Sequence, residues 1–485
     1  MINFKKIGLY AGPTAFILIK FFFEIDGLDD LGKSVIASTT WIAIWWVFEA
    51  VPIAITALLP IILFPLTGSL NLEDTSSSYG HRFVFLYLGG FILALAIEKW
   101  NLHKRIALNI ISFVGTDVRK IILGFMISTA FLSMWITNTA TAVMMLPIGI
   151  AVVKQIKDLN STKENENLVF GKALMLSIAF SASIGGVSTL IGTPPNLILA
   201  TVIEETYGVK ITFKSWMTFA FPFSVILLII SWYYLTRVAF NFTKYNFKDA
   251  EIEINKQLND LGKLSYEEKL ISAIFSITAI LWIFRDFFEI FLPNLDDSII
   301  AIFSATTLFL FNSKSKKGNL MKWDEAVKLP WGILLLFGGG LAIASAFQSS
   351  GLAIWIGESL FKADSFSLII LLLITTTMVN FLTEITSNLA TTAMLLPIIA
   401  PISLALGFHP FILMIGATVA ASCAFMLPVA TPPNAVVFGS NYLKISDMVK
   451  VGLLMNLLSI FLILIFVYFY LPKVWSFDPF EYPFL

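Results

Sequence analysis

Cysteine is almost missing from this chain: Cys423 is the only one in 485 residues. An internal disulfide framework is therefore excluded, and a thiolate metal cluster is disfavoured. Histidine is nearly as scarce, and His81, His103 and His409 are spread too far apart, among expected loops, to read as a metal set. Charge is low as well, at 13% of residues where soluble domains carry roughly a quarter. The 32 basic residues balance the 32 acidic ones, so nothing points to a nucleic-acid partner. There is no HExxH, no GxSxG and no pair of intramembrane aspartates, so the chain is not read as an enzyme.

What is abundant is apolar surface, at 57% of residues. Runs such as VILLIISWYYL (225–235), LLMNLLSIFLILIFVYFYL (453–471) and IGLYAGPTAFILI (7–19) approach or reach the roughly twenty residues that cross hydrocarbon. An all-α polytopic membrane protein follows, with the lipid bilayer as its solvent. The first run trails Lys5 and Lys6 as in a signal peptide, but no small-residue cleavage pattern follows it, so a retained helix is expected. About eleven spans are expected, near 7–25, 35–50, 52–67, 83–112, 172–203, 215–240, 267–290, 298–312, 331–360, 410–440 and 446–471. Two further runs, 118–157 and 363–406, are broken at their centres by polar residues and read as re-entrant hairpins. Lys and Arg collect in 99–120, 154–172, 237–269 and 314–328, and acids in 26–30, 73–74, 204–205 and 296–297. The positive-inside rule then places the amino terminus in the cytoplasm and the carboxyl terminus outside, in a cell (inner) membrane. On that topology the first hairpin opens inward and the second outward.

The interrupted runs resemble each other. LSMWITNTATAVMMLPI (132–148) matches LTEITSNLATTAMLLPI (382–398), with seven of the twelve positions from 137 onward identical. IGTPPNLIL (191–199) likewise matches VATPPNAVV (429–437), and LGGFILALA (88–96) matches FGGGLAIAS (337–345). These pairs imply an inverted repeat with opposed hairpins and two broken helices, an arrangement associated with secondary transporters. The charged stretch 241–268 reads as a connector between the halves.

At a hairpin tip the ascending helix starts with unpaired N–H groups and a partial positive charge, which suits an anion. Thr137, Asn138 and Thr139 occupy one tip, and Ser387, Asn388 and Leu389 the other. Two prolines in each TPPN remove donors and free carbonyls, which offer neutral oxygen ligands to a small cation such as Na⁺. Glu384, beside the second tip, is read as structural rather than as a proton carrier, and Arg285/Asp286 as an interfacial anchor. Gly89, Gly90 and Gly338 to Gly340 lie in apolar helices and are read as close-packing positions, not a phosphate loop. A saturable carrier is favoured over a channel, because inverted broken helices suit alternating access.

Paired tips and paired TPPN breaks, in this order over nearly the whole chain, resemble the divalent anion/sodium symporters, the INDY-type carriers of dicarboxylates, citrate and sulfate. The resemblance implies that Asn138, Thr139 and Asn388 touch substrate carboxylate, with Thr431 and Pro432 lining the pocket and Leu389 at a substrate-facing place. It implies one sodium among Ser133, Thr137, Asn138 and Gly192, and a second among Thr383, Thr386, Asn388 and Ala430. Sodium would be the coupling ion, with no organic cofactor. A homodimer working by an elevator motion is also implied. Scaffold helices would then occupy 1–115, the inner hairpin and its broken helix 116–245, a connector and scaffold 246–362, and the outer hairpin, broken helix and last span 363–485. Two departures stand out. Thr137 replaces the usual Ser and keeps the hydroxyl, whereas Leu389 replaces the usual Thr and loses it. The function expected is sodium-coupled symport of a C4-dicarboxylate, with sodium-independent exchange, or citrate or sulfate symport, as alternatives.

Overall fold

The computed structural model of the chain describes residues 4–115, 117–158, 164–240, 242, 248–315, 317–360 and 367–481. They form helices joined by short connections, and helices of seven residues or more are numbered here. Helix α1 (Phe4–Phe21) packs along α2 (Asp30–Phe48). The second starts where the Asp29 carboxylate accepts Gly32 N–H at 2.7 Å, and stops where Glu49 turns left-handed at φ 44°. Helices α3 (Leu59–Thr67) and α4 (Arg82–Lys99) follow, then α5 (Leu102–Val114). The stretch 83–112, expected as one span, is thus two helices, because Asn101 adopts a left-handed φ of 57°. Helix α5 buries Leu102, Ala107, Leu108 and Ile111 and leaves Phe113 exposed, so it is amphipathic where a span would be apolar all round.

Next come α6 (Val118–Ser133), α7 (Asn138–Asp158), α8 (Glu164–Val187), α9 (Pro194–Tyr207) and α10 (Phe213–Tyr233), the last extended by a π-helical turn, Tyr234–Ala239. A reciprocal cap between Thr212 and Ser215 starts α10. The polar α11 (Lys248–Asp260) leads to α12 (Tyr266–Ile283), α13 (Asp297–Leu310) and α14 (Trp331–Ser349). Helix α15 (Leu352–Leu360) follows Gly351, whose φ of 69° divides the expected span 331–360. The chain then runs through α16 (Leu368–Leu382), α17 (Asn388–Ala405), α18 (Pro410–Ser422), α19 (Pro432–Phe438) and α20 (Ile445–Ile465).

Seven helical segments among the described residues are long and apolar enough to cross a bilayer: Asp30–Phe48, Leu72–Lys99, Asn167–Val187, Phe213–Ala239, Trp331–Ser349, Asn388–Ala405 and Ile445–Trp475. The fold is therefore all-α and multi-pass. The same packing occurs in each half: α6 and α7 lie against α8, and α16 and α17 lie against α18. The short helices then cross over, α19 packing on α7 and α8, and α9 packing on α17 and α18. Three of the expected close-packing glycines serve that purpose, while Gly90 has ordinary room for a side-chain carbon. A Cβ at Gly89 would strike the Ala301 backbone of α13, one at Gly338 would strike Tyr79, and one at Gly339 would strike Ala57.

Arg285 and Asp286, read together from the sequence, separate in the fold. Arg285 faces Asp297 at 3.4 Å, and Asp286 pairs with Lys214 at 2.6 Å. The histidines are also placed differently: His81 and His409 are helix caps and His103 lies buried in α5.

Candidate functional site

Each polar tip is a helix break of a few residues. Helix α6 ends at Ser133 and α7 begins at Asn138, while α16 ends at Leu382 and α17 begins at Asn388. The TPPN prolines do not kink a continuous helix; they open new ones. Pro194 and Pro195 start α9, and Pro432 and Pro433 start α19, where a missing N–H leaves no intrahelical bond unmade. The real interruptions lie just upstream, at 188–193 and 423–431. Four helices therefore begin at breaks, and they pack in crossed pairs, α7 with α19 and α17 with α9. Their N-terminal ends bring partial positive charge to the region between the halves.

The hydrogen bonds repeat along with the sequence. Ser133 Oγ lies 2.8 Å from the Asn138 amide oxygen and 2.6 Å from the Ala182 carbonyl. Thr383 Oγ1 lies 2.7 Å from the Asn388 amide oxygen and 3.1 Å from the Ala421 carbonyl. Each TPPN asparagine folds back over its own break. Asn196 Nδ2 donates to the carbonyls of Thr189 (2.8 Å), Val187 (3.2 Å) and Gly186 (3.3 Å), and Asn434 Nδ2 to those of Leu427 (3.0 Å) and Ala424 (3.4 Å).

The Asn138 amide points into a ring of oxygens. With its nitrogen turned toward them it donates to Ser133 Oγ (2.8 Å), the Gly192 carbonyl (3.1 Å) and the Ala182 carbonyl (3.2 Å). With its oxygen turned that way, the Ser133 hydroxyl donates to it at 2.8 Å and the Gly192 and Ala182 carbonyls face it, a cluster of oxygens that a cation could also bridge. Hard neutral oxygens of this kind suit a small ion such as sodium. The side-chain oxygens of Asn196 and Asn434 are also fully buried and accept no hydrogen bond among the described residues. Buried acceptors are nearly always satisfied, so a water molecule or an ion is expected to complete each of them. Gly186 is required here, since its Cβ would fall on the Asn138 amide, and Gly192 lies against the Gly186 carbonyl.

The other expected site residues divide into groups. Thr137 caps its own helix start, accepting Ala140 N–H at 3.3 Å, and Thr139 is exposed. Thr386 bonds to the Leu382 carbonyl at 2.9 Å and to Thr391 at 2.6 Å, within its own hairpin. Ala430 N–H bonds back to the Leu427 carbonyl at 3.2 Å. Thr431 caps α19, accepting Asn434 N–H at 3.3 Å, with Pro432 exposed beside it. Leu389 is only 8% exposed and belongs to the apolar core, unlike Thr139 at the matching place.

Sequence reasoning did not select Gly186, Thr189, Asn196 or Asn434. Thr189 Oγ1 donates to the Met134 carbonyl at 2.5 Å and accepts Gly192 N–H at 3.1 Å, so it ties the first tip to the first break. The two asparagines were visible as the last letter of TPPN. Thr189 and Gly186 carried no repeat signal, since Leu427 and Ala424 stand at the matching positions.

A helical multi-pass chain with duplicated tips and duplicated broken helices belongs to the class of secondary transporters. The family model described as the sodium:sulfate symporter transmembrane region matches residues 5–476, and the chain belongs to that family. Among curated relatives, the sodium-dependent dicarboxylate transporter SdcS of Staphylococcus saprophyticus is 46% identical over 481 residues, covering 98% of this chain and 93% of the relative. SdcS of Staphylococcus aureus strain USA300 is 45% identical over 482 residues, covering 98% and 92%. In fold the chain is similar to MtrF of Neisseria gonorrhoeae (TM-score 0.55, 12% identity, 98% of this chain and 94% of that one). It is also similar to the YdaH transporter of Alcanivorax borkumensis (TM-score 0.57, 12% identity, 91% and 100%).

Proposed function

We propose that this protein couples sodium entry to the uptake of a small di- or multivalent anion, with a C4-dicarboxylate such as succinate, malate or fumarate as its cargo. The duplicated tip-and-break constellation carries the reading, and the name shared by the SdcS relatives supports the cargo class. In this reading Asn138, Thr139 and Asn388 hold substrate carboxylates at the helix starts, with Leu389, Thr431 and Pro432 around them. One sodium sits among Ser133, Thr137, Asn138 and Gly192, and a second among Thr383, Thr386, Asn388 and Ala430. The oxygen ring at Asn138 supports the first assignment, and the Thr383–Asn388 contact supports the second. Each cation lowers the cost of bringing a dianion into a low-dielectric cavity.

The finer architecture belongs to the same proposal. Eleven spans and two opposed re-entrant hairpins form an inverted repeat in the cell membrane, with the amino terminus cytoplasmic and the carboxyl terminus outside. The transport elements, 116–245 and 363–485, move as an elevator against scaffold 1–115 and 246–362, in a homodimer. The crossed packing of the short helices supports one interlocked moving unit. Cysteines at positions 160 and 363, both outside the described residues, should be labelled by impermeant thiol reagents from the cytoplasm and from outside, respectively.

Purified protein in liposomes, given radiolabelled succinate, citrate or sulfate under Na⁺ or K⁺ gradients, tests cargo and coupling together. Sodium-driven succinate uptake is expected. Uptake driven only by preloaded dicarboxylate, and indifferent to replacing Na⁺ with K⁺, would make the protein an exchanger instead.

A further inference from the structure

The two tips differ in one respect that the repeat does not predict. At the first, Ser133 is followed by Met134, whereas at the second, Thr383 is followed by Glu384. Glu384 is 3% exposed and its carboxylate is surrounded by donors. It accepts Phe425 N–H at 2.8 Å, Met426 N–H at 3.0 Å, Leu427 N–H at 2.9 Å and the Asn456 amide at 2.7 Å. Three of the four donors are main-chain amides and the fourth is the Asn456 Nδ2, whose own Oδ1 accepts Phe425 N–H at 3.1 Å, so the carboxyl oxygens act as a hub that gathers this stretch of backbone.

The three backbone amides belong to the second break, whose Ala424 and Leu427 carbonyls accept from Asn434. The Ala421 carbonyl, in the last turn of α18 just before the break, accepts from Thr383. Adjacent residues thus hold the end of α18 and the interruption after it, Thr383 by a helix carbonyl and Glu384 by the amides of the break. Helix α20 supports the arrangement. Gly452 has no Cβ because the Phe425 carbonyl occupies that space, and Asn456, one turn on, touches both Glu384 and Phe425 N–H. The first break is held by neutral groups instead, Thr189 on the Met134 carbonyl and Trp216 Nε1 on the Val187 carbonyl at 2.9 Å.

We infer that Glu384 is a positioning residue for the second cation pocket: its carboxylate fixes the amides of the second break so that the neighbouring carbonyls and Asn388 present their oxygens to sodium. The inference rests on the symport reading for the identity of the ion, but the clamp itself can be tested without transport. Cys423, the only cysteine, lies fully buried within that break and serves as a native reporter.

Full-length wild type, E384D, E384Q and E384A would be compared in two assays: N-ethylmaleimide labelling of Cys423 in purified protein, and sodium-dependent succinate uptake in liposomes. In E384Q and E384A, labelling should accelerate about tenfold or more, and the half-saturating sodium concentration should rise about tenfold, while the succinate KM at saturating sodium changes less than twofold. E384D, which keeps the charge, should recover much of both properties and so separates a lost clamp from a misfolded protein. Wild-type labelling and sodium dependence in E384Q would overturn the inference. A rise in succinate KM at saturating sodium with unchanged sodium dependence would overturn it too, by moving Glu384 to the substrate. If the wild type itself shows no sodium dependence, the symport reading fails, and Cys423 labelling alone then decides whether Glu384 holds the break.

Discussion

Arg82 at the start of α4 reaches Glu204 near the end of α9, its Nε 3.1 Å from the carboxylate, and the same guanidinium pairs with Asp296 before α13. His81 Nε2 meets Glu205 at 3.1 Å alongside. In the proposed elevator α4 and α13 are scaffold and α9 moves, so these ion pairs form only where the two bodies meet in this state. Cysteines replacing His81 and Glu205 in a Cys423→Ser background should be bridged by a short, reducible bifunctional thiol reagent that spans the gap left by the two long side chains, stopping uptake until reductant is added. Full transport by the bridged protein would mean that α4 and α9 travel together.

The amides of Asn138 and Asn388 each join a hydroxyl on the preceding helix to the start of the next one. Asn138→Ala and Asn388→Ala should each abolish coupled uptake while leaving the size-exclusion profile intact. A folded variant with near wild-type uptake and unchanged sodium dependence would remove that tip from the site.

Gly186 has room for hydrogen only, because Asn138 occupies the Cβ position. Gly186→Ala should displace the Asn138 amide from Ala182 and Gly192, at a cost of roughly 1–3 kcal/mol in stability. Transport should fall far more than thermal stability does. Gly90, whose added Cβ would meet only Ile191 at 3.6 Å, is the control: Gly90→Ala should be mild on both measures.

The tips and breaks were legible because polar residues and paired prolines in apolar runs are conspicuous and because each occurs twice. Helix ends were harder to place. Hydropathy joined α4 to α5 and α14 to α15, since the apolar runs on either side outweighed the short polar stretches 98–105 and 348–351 in which the backbone turns at Asn101 and Gly351. An amphipathic helix such as α5 differs from a span by which face it buries, which an average over a window erases. Glu384 was recognisable as a buried acid with a structural role, but its partners lie some forty residues and more away, and main-chain amides leave no mark in a sequence.

Leu389 stands where the first tip has Thr139, and its burial sharpens what Leu389→Thr should do. The side chain is 8% exposed at the second position of α17, so the substitution removes apolar packing and should lower stability by about 1–2 kcal/mol. It also restores a donor beside Asn388. A hydrogen bond to a charged partner contributes roughly 1.5–3 kcal/mol, about ten- to a hundredfold in affinity. If a four-carbon dicarboxylate spans both tips, its second carboxylate relies on Asn388 and helix-end amides, and the added hydroxyl should tighten apparent succinate affinity while sodium dependence stays unchanged. If Leu389 instead packs against an apolar part of a different cargo, the hydroxyl faces nothing that can accept it, and transport of the natural substrate weakens. Thermal stability and apparent affinities for succinate and sulfate, measured in wild type and Leu389→Thr, separate these outcomes. Lower melting temperature with tighter succinate binding supports the two-tip geometry, and lower melting temperature with weaker succinate binding rules it out.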